Sequence, residues 1–301
     1  MAHDGHPGSG SDIVVAALYR FVALPDYRAM RAPLLAICME AGVRGTLLLA
    51  GEGINGTLAG SRAGIDAVVD HLRSDPRLAD LEPRESVAPA IPFKRLRVRA
   101  KKELISIGVS GVDPTRPGVY VEPAEWNALI ADPDVRVIDT RNVYEVEIGT
   151  FRGAEDPGTE SFSDFPAYVS ARLDPARDRK LALFCTGGIR CEKATAYLVE
   201  QGFSEVYHLQ GGILHYLETV APEHSLWEGE CFVFDERVSV RHGLTPGAYD
   251  ACKGCGRPLA EADRVSELFE EGVSCPRCAP LLTDAQRRAF RDRQRQYERR
   301  R

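Results

Sequence analysis

The chain has 301 residues, 44% hydrophobic and 27% charged, with a formal net charge of −6. That composition excludes a disordered, collagen-like or coiled-coil protein, and the length asks for two or three domains. No apolar run approaches the length that spans a bilayer, and eight cysteines are too sparse for a disulfide scaffold of this size. The expectation is a cytoplasmic protein with reduced thiols and no membrane partner.

Met1 to Gly10 are polar and glycine-rich without the apolar core of a secretory leader, so residues 1–10 are expected to be a disordered start. Ile13 to Val22 reads as a buried strand, and Asp26 to Gly42 as a helix with apolar residues at helical spacing and a glycine stop. Gly45–Ala50 and Ile54–Ala59 are short strands around Gly51-Glu52-Gly53. Taken alone, the run Gly51 to Thr57 is a hairpin with left-handed positions and a weak phosphate cradle. Ser61 is placed to cap an amphipathic helix through Leu72, and a final strand region covers Phe93 to Ile107. The order βαββαβ is that of a ferredoxin-like, acylphosphatase-like domain over residues 11–112.

In the last strand region Arg95, Arg97, Arg99 and Lys101 alternate with Leu96, Val98 and Ala100, and Lys94 and Lys102 flank them without an intervening acid. Period-two spacing puts the four alternating cations on one face. A solvated face is the plain alternative, but like charges on a strand repel unless an anion relieves them. Lys94, Arg95, Arg97, Arg99, Lys101 and Lys102 are therefore candidate RNA-phosphate contacts. Residues 11–112 are basic by three charges, whereas residues 113–222 are acidic by eight.

Gly111, Pro114, Pro117 and Gly118 mark a boundary, after which residues 113–222 form a second domain. Val135 to Asp139 is an apolar strand ending in Asp139-Thr140-Arg141. Asp139 and Arg141 read as supporting residues, a strand-end ion pair bracing nearby loops. Leu181 to Phe184 is a buried strand that delivers Cys185 into Cys185-Thr186-Gly187-Gly188-Ile189-Arg190-Cys191, and a helix follows. A thiol there meets loop amides and a helix N-terminus, with Arg190 closing the loop. All three favour the thiolate, so Cys185 is expected to have a depressed pKa. A buried small hydrophobe ending a strand is the bland alternative, and it leaves the two glycines and the arginine unexplained. Cys185 and Arg190 are the candidate catalytic pair, and Thr186, Gly187, Gly188, Ile189 and Cys191 complete the loop. Cys191 is either a resolving thiol or a core residue of the helix. His208 and His215 flank a second glycine turn as structural groups.

Residues 223–301 hold Cys252-x2-Cys255 and Cys275-x2-Cys278 separated by nineteen residues. Two such thiolate turns suit a structural zinc ribbon, and four sulfur ligands leave no open catalytic position. Cys38 and Cys231 read as packing residues. From Leu281 onward eight arginines oppose three acids, a basic helix that is equally a solubilising tail or an RNA contact.

The stretch Cys185 to Arg190 resembles the active-site loop of rhodanese-fold proteins. Asp139-Thr140-Arg141, Glu145, Gly149 and Arg152-Gly153-Ala154 follow the rhodanese spacing, with Thr150 where many members carry histidine. Adding Gly51 to Thr57 and the extension from Trp227 to Arg237, the chain is similar to the rhodanese-like tRNA uridine hydroxylases of bacteria, from about Ile13 to about Cys278. The resemblance implies an α/β protein with a ferredoxin-like N-terminal domain, a rhodanese-like parallel-sheet domain and a small zinc-ribbon-like C-terminal segment. It also implies hydroxylation of the wobble uridine in the tRNA anticodon stem-loop to 5-hydroxyuridine, with molecular oxygen as co-substrate. The cysteine matching Cys185 is required in that family. No flavin, haem or nucleotide motif is found in the sequence. Loop chemistry alone also fits a thiosulfate or persulfide sulfurtransferase in which Cys185 carries the persulfide. A catalytically silent tRNA-binding module is a third class, which would tolerate the loss of Cys185.

Overall fold

Residues 13–299 are described by the structure, a computed structural model. The segment expected to be a disordered start lies outside the described residues, as do Arg300 and Arg301. The chain divides into two compact units. One runs to Gly118 and also includes Ile189–Gly202, and the other holds Val119–Gly188 and the chain from Phe203 onward.

In the first unit the order is β1 (Ile13–Phe21), α1 (Tyr27–Glu40), β2 (Arg44–Ala50), β3 (Gly53–Gly60), α2 (Arg62–Arg73), β4 (Arg84–Ala88) and β5 (Leu96–Ala100). These strands make one sheet in the order β4-β1-β3-β2-β5, with β5 parallel to β2 and the other pairs antiparallel. Alternation divides its two faces. Val14, Ala16, Leu18, Leu47, Leu49, Ile54, Leu58 and Val98 pack against Leu34 and Cys38 of α1 and against Ile65, Val68, Val69 and Leu72 of α2. That apolar stripe at helical spacing is why α2 forms here, and the Ser61 hydroxyl accepts the Gly64 amide at 3.1 Å to cap it.

Two features differ from the sequence reading. The strand expected over 93–107 is confined to Leu96–Ala100, and the fourth strand is Arg84–Ala88. The segment Arg84-Glu85-Ser86-Val87-Ala88 is an edge strand with little apolar alternation, so its sequence carries no strand signal.

In the second unit come β6 (Val119–Val121), α3 (Pro123–Ile130), β7 (Val135–Asp139), α4 (Val143–Val146), β8 (Gly149–Phe151), α5 (Phe165–Arg172) and β9 (Lys180–Phe184). Next along the chain is α6 (Ile189–Glu200), which belongs to the first unit, and then β10 (Glu205–Leu209) and α7 (Gly212–Thr219). The sheet is β6-β10-β9-β7 with every pair parallel. Parallel strands covered on both faces read as continuous apolar runs, and Leu181 to Phe184 are fully buried.

Beyond it, β11 (Trp227–Gly229) pairs antiparallel with β8. The short strands β12 (Cys231–Phe232), β13 (Ser239–Val240), β14 (Asp250–Ala251) and β15 (Pro258–Leu259) follow, and α8 (Asp284–Glu298) ends the described chain. Thr283 and Gln286 form its capping box. Among the described residues no helix is long and apolar enough to cross a membrane.

Candidate active site

Strand β9 is buried because its run of apolar side chains is covered on both faces, and it ends at Cys185. The thiol is 1% exposed, and the Gly188 amide donates to its Sγ at 3.1 Å. Gly188 adopts φ +97°, a left-handed conformation that glycine takes without steric cost. The turn Cys185-Thr186-Gly187-Gly188 thereby folds back on its own sulfur, and α6 begins at the next residue. Amide donation favours the anionic form of a thiol.

The loop is held from behind by α7. The first N–H groups of a helix have no partner inside it, and here they find the cysteine loop. Ile213 N–H donates to the Cys185 carbonyl and Leu214 N–H to the Thr186 carbonyl, each at 3.0 Å. This close approach explains the second glycine turn. Gly212 has φ +66°, and a β-carbon there would sit 2.5 Å from the Cys185 carbonyl oxygen and 2.7 Å from the Gly188 nitrogen. Gly187 has no neighbour within 4 Å of such a position, so the loop stays open on that side. The Thr186 hydroxyl donates to Glu145 Oε1 at 3.3 Å, and Glu145 is fully buried.

Asp139 and Arg141 are both fully buried. The guanidinium donates to Asp139 through Nε at 2.9 Å and through a terminal nitrogen at 2.6 Å, and it also reaches the Glu145 and Gly149 carbonyls. The Trp227 ring lies 5.1 Å from it. Thr150, where many rhodaneses carry histidine, donates its hydroxyl to Asp139 Oδ2 at 2.9 Å. One residue on from Asp139, Thr140 bonds through its amide and its hydroxyl to the Phe184 carbonyl. The ion pair therefore braces the strand end beside the one that delivers Cys185.

Ile189, Arg190 and Cys191 form the first turn of α6, with Arg190 and Cys191 buried. Two residues that sequence inspection missed follow them. Lys193, only 3% exposed at its side chain, donates to both Glu52 oxygens at 3.1 and 3.0 Å, to Glu103 at 3.2 Å and to the Ile105 carbonyl at 2.8 Å. Glu52 also takes the Leu104 amide at 2.7 Å. The Tyr19 hydroxyl donates to Glu192 at 2.8 Å. The Gly51-Glu52-Gly53 turn is thus a clamp on α6 rather than a phosphate cradle. Its signal was present, an acid at the tip of a glycine turn, but not its partner 141 residues away.

All six candidate RNA contacts, Lys94, Arg95, Arg97, Arg99, Lys101 and Lys102, are exposed. They lie in the first unit and Cys185 lies in the second.

The four cysteines of the C-terminal segment come together, all sulfurs within 4.8 Å of one another. Cys252 to Cys278, Cys255 to Cys275 and Cys275 to Cys278 are 4.0, 3.8 and 3.7 Å apart. Four sulfurs at about 2.3 Å around a tetrahedral centre stand about 3.8 Å apart, so the geometry fits a metal and excludes disulfides. A hydrogen bond from Cys255 holds the Cys252 thiol down at about 5, and Cys255, which keeps that proton, is pushed up. Arg287, Arg291 and Arg293 of α8 bond to the Ala279 carbonyl, to Glu270 and to the Lys253 and Gly272 carbonyls. Part of the basic helix therefore braces this cluster.

Residues 13–104 match the UPF0176 acylphosphatase-like domain, and residues 122–219 match the rhodanese-like domain. Among solved structures, the chain is similar to the rhodanese-like domain from Anabaena sp. (20% identity, TM-score 0.31, 38% of this chain and 80% of that one). It is also similar to a rhodanese-related protein from Thermoplasma volcanium (21% identity, TM-score 0.29, 35% of this chain and 95% of that one). A relative in Teredinibacter turnerae named tRNA uridine(34) hydroxylase is 57% identical over 289 residues, which is 96% of this chain and 90% of that protein. With that identity over nearly the whole of both chains, the chain belongs to the tRNA uridine(34) hydroxylase family.

Proposed function

We propose that this protein hydroxylates C5 of the wobble uridine in tRNA with molecular oxygen, using Cys185 as the thiolate. The Gly188 amide on the Cys185 sulfur, in a chain 57% identical to a protein named for that reaction, carries the reading. Thiolate attack on C6 of the uracil forms an S–C6 bond and breaks the 5,6 double bond, and the electron pair makes C5 an enolate-like nucleophile toward oxygen. Over the cycle one oxygen atom enters at C5 and the other leaves as water. That balance needs two electrons and two protons, taken from an external two-electron donor. Loss of the C5 proton and departure of the sulfur restore the aromatic ring. Loop amides hold the negative charge, first on sulfur and later on oxygen. Asp139, Arg141 and Thr186 support the loop, and the exposed cations from Lys94 to Lys102 take RNA phosphates. The protein works in the cytoplasm.

Nucleoside mass spectrometry of under-modified tRNA incubated with the protein in air, with a dithiol as the two-electron donor, tests this. The expected result is 5-hydroxyuridine at the anticodon. Thiosulfate-to-cyanide sulfur transfer without hydroxyuridine would replace it with the persulfide reading, for which the same amide would hold a terminal sulfur.

Cys252, Cys255, Cys275 and Cys278 would hold a structural Zn2+, a ligand set with no open position for catalysis. Elemental analysis is expected to give about one zinc per chain, and chelation to open residues 250–282 to protease. An unaltered digestion pattern after complete zinc removal would overturn that assignment.

A further inference from the structure

The first unit's sheet carries α1 and α2 on one face only. The second face has its own composition, set by register. One row across the strands reads Arg84, Ala17, Thr57, Thr46 and Arg97, and the next reads Tyr19, Asn55, Leu48 and Arg99. Arg97 and Arg99 are exposed, and Arg84, Thr46, Thr57 and Asn55 are half-buried. Each end of the face is closed by apolar packing. Val15, Ala59 and Ala88 meet Ile91 and Phe93 at one end, and Phe21 and Ala50 meet Leu104 and Ile189 at the other, where Tyr19 and Leu48 of the second row also pack. Between these ends Thr46, Asn55 and Thr57 lie half-buried beside Ala17, with Arg84 at one edge and Arg97 and Arg99 at the other. The residues that alternation assigns to it, from β1 through β5, include no acid.

Such a face is unusual for a plain solvated surface. Solvated surfaces of soluble proteins mix both signs of charge, whereas this one sets arginine beside threonine and asparagine, with Ala17, Tyr19 and Leu48 between them and no acid in either row. Arginine at the rim suits phosphate, and the short hydroxyl and amide groups between leave room for a flat base and supply donors and acceptors. Four-stranded sheets in single-stranded RNA recognition present one bare face in this way.

The second row also has a direction. Strands lie about 4.8 Å apart, so three steps carry it about 14 Å from Arg99 to Tyr19. The Tyr19 hydroxyl bonds to Glu192, in the first turns of α6, the helix that follows the cysteine loop in the chain. We infer that this open sheet face is a single-stranded RNA track, with Arg97 and Arg99 gripping phosphates at its outer edge and Thr46, Asn55 and Thr57 flooring it. The occupant is the unpaired loop of a substrate RNA, so the inference extends the proposed function and names the surface that reads its substrate.

Fluorescence anisotropy with a labelled anticodon stem-loop RNA, on the full chain, tests the track directly. Thr57→Glu puts a carboxylate in the floor without touching the basic strand, and is expected to weaken binding at least about tenfold. Thr46→Lys adds a cation, and is expected to tighten binding and steepen the dependence of log K on log salt by about one unit. The Arg97→Ala, Arg99→Ala double variant is expected to make that dependence about two units shallower. Should Thr57→Glu fail to fold, Thr46→Lys still decides. Wild-type affinity and salt dependence in a folded Thr57→Glu or in Thr46→Lys would overturn the track, even with hydroxyuridine still formed. Failure of the hydroxylation reading is separate: the wild-type protein would leave uridine unmodified however the RNA binds.

Discussion

Cys185→Ser is expected to lower 5-hydroxyuridine formation at least about 1,000-fold while leaving RNA affinity unchanged. The serine hydroxyl has the same donor above it, the Gly188 amide 3.1 Å from the native sulfur. Amide donors can hold a thiolate near neutral pH, because a free thiol already titrates at about 8.5. They cannot bring an alcohol to its alkoxide. Binding survives because the sulfur is 1% exposed and the cations assigned to phosphate lie on β5 and its flanks. Nucleoside mass spectrometry beside an anisotropy titration separates the two quantities. Wild-type turnover in the serine variant would remove covalent catalysis from the mechanism.

Arg141→Met is expected to be the most damaging substitution away from the cysteine loop, at about 3–5 kcal/mol. The guanidinium and the Asp139 carboxylate are both fully buried. Removing the cation leaves a charge in the core that keeps, among the described residues, the Thr150 hydroxyl and the Arg141 main-chain amide as donors. It also strips hydrogen bonds from the Glu145 and Gly149 carbonyls. For a unit of this size about 1 kcal/mol corresponds to 2–4 °C, so thermal unfolding should shift down by roughly 6–20 °C. Replacing both partners, Arg141→Met with Asp139→Leu, should recover part of the loss, since an apolar pair leaves no stranded charge. A double variant no more stable than Arg141→Met would show that the carbonyl contacts, not the ion pair, carry the effect.

The chemistry of the loop was legible because it is local. A strand, a cysteine, two glycines and a helix occupy one short stretch, and the same is true of the paired Cys-x2-Cys turns. What stayed hidden depends on distant partners. Nothing near Glu52 announces Lys193, and nothing near Gly212 announces the carbonyls of Cys185 and Thr186, which its missing side chain lets approach. Edge strand β4 was missed for a different reason. Its residues are polar, and pairing with β1 rather than an apolar pattern makes them a strand. The strand expected over 93–107 was read too long, since the ladder to β2 ends with the Lys101 amide on the Leu49 carbonyl. The bare sheet face required the register, because its residues come from five separate segments.

At the root of the account is the ionisation state of one buried sulfur. Thiolate ultraviolet absorption, recorded across pH for the wild-type protein and for Cys185→Ser and then subtracted, isolates that group from the other seven cysteines. A midpoint well below the free-thiol value of about 8.5 is expected. A midpoint at or above that value would contradict it.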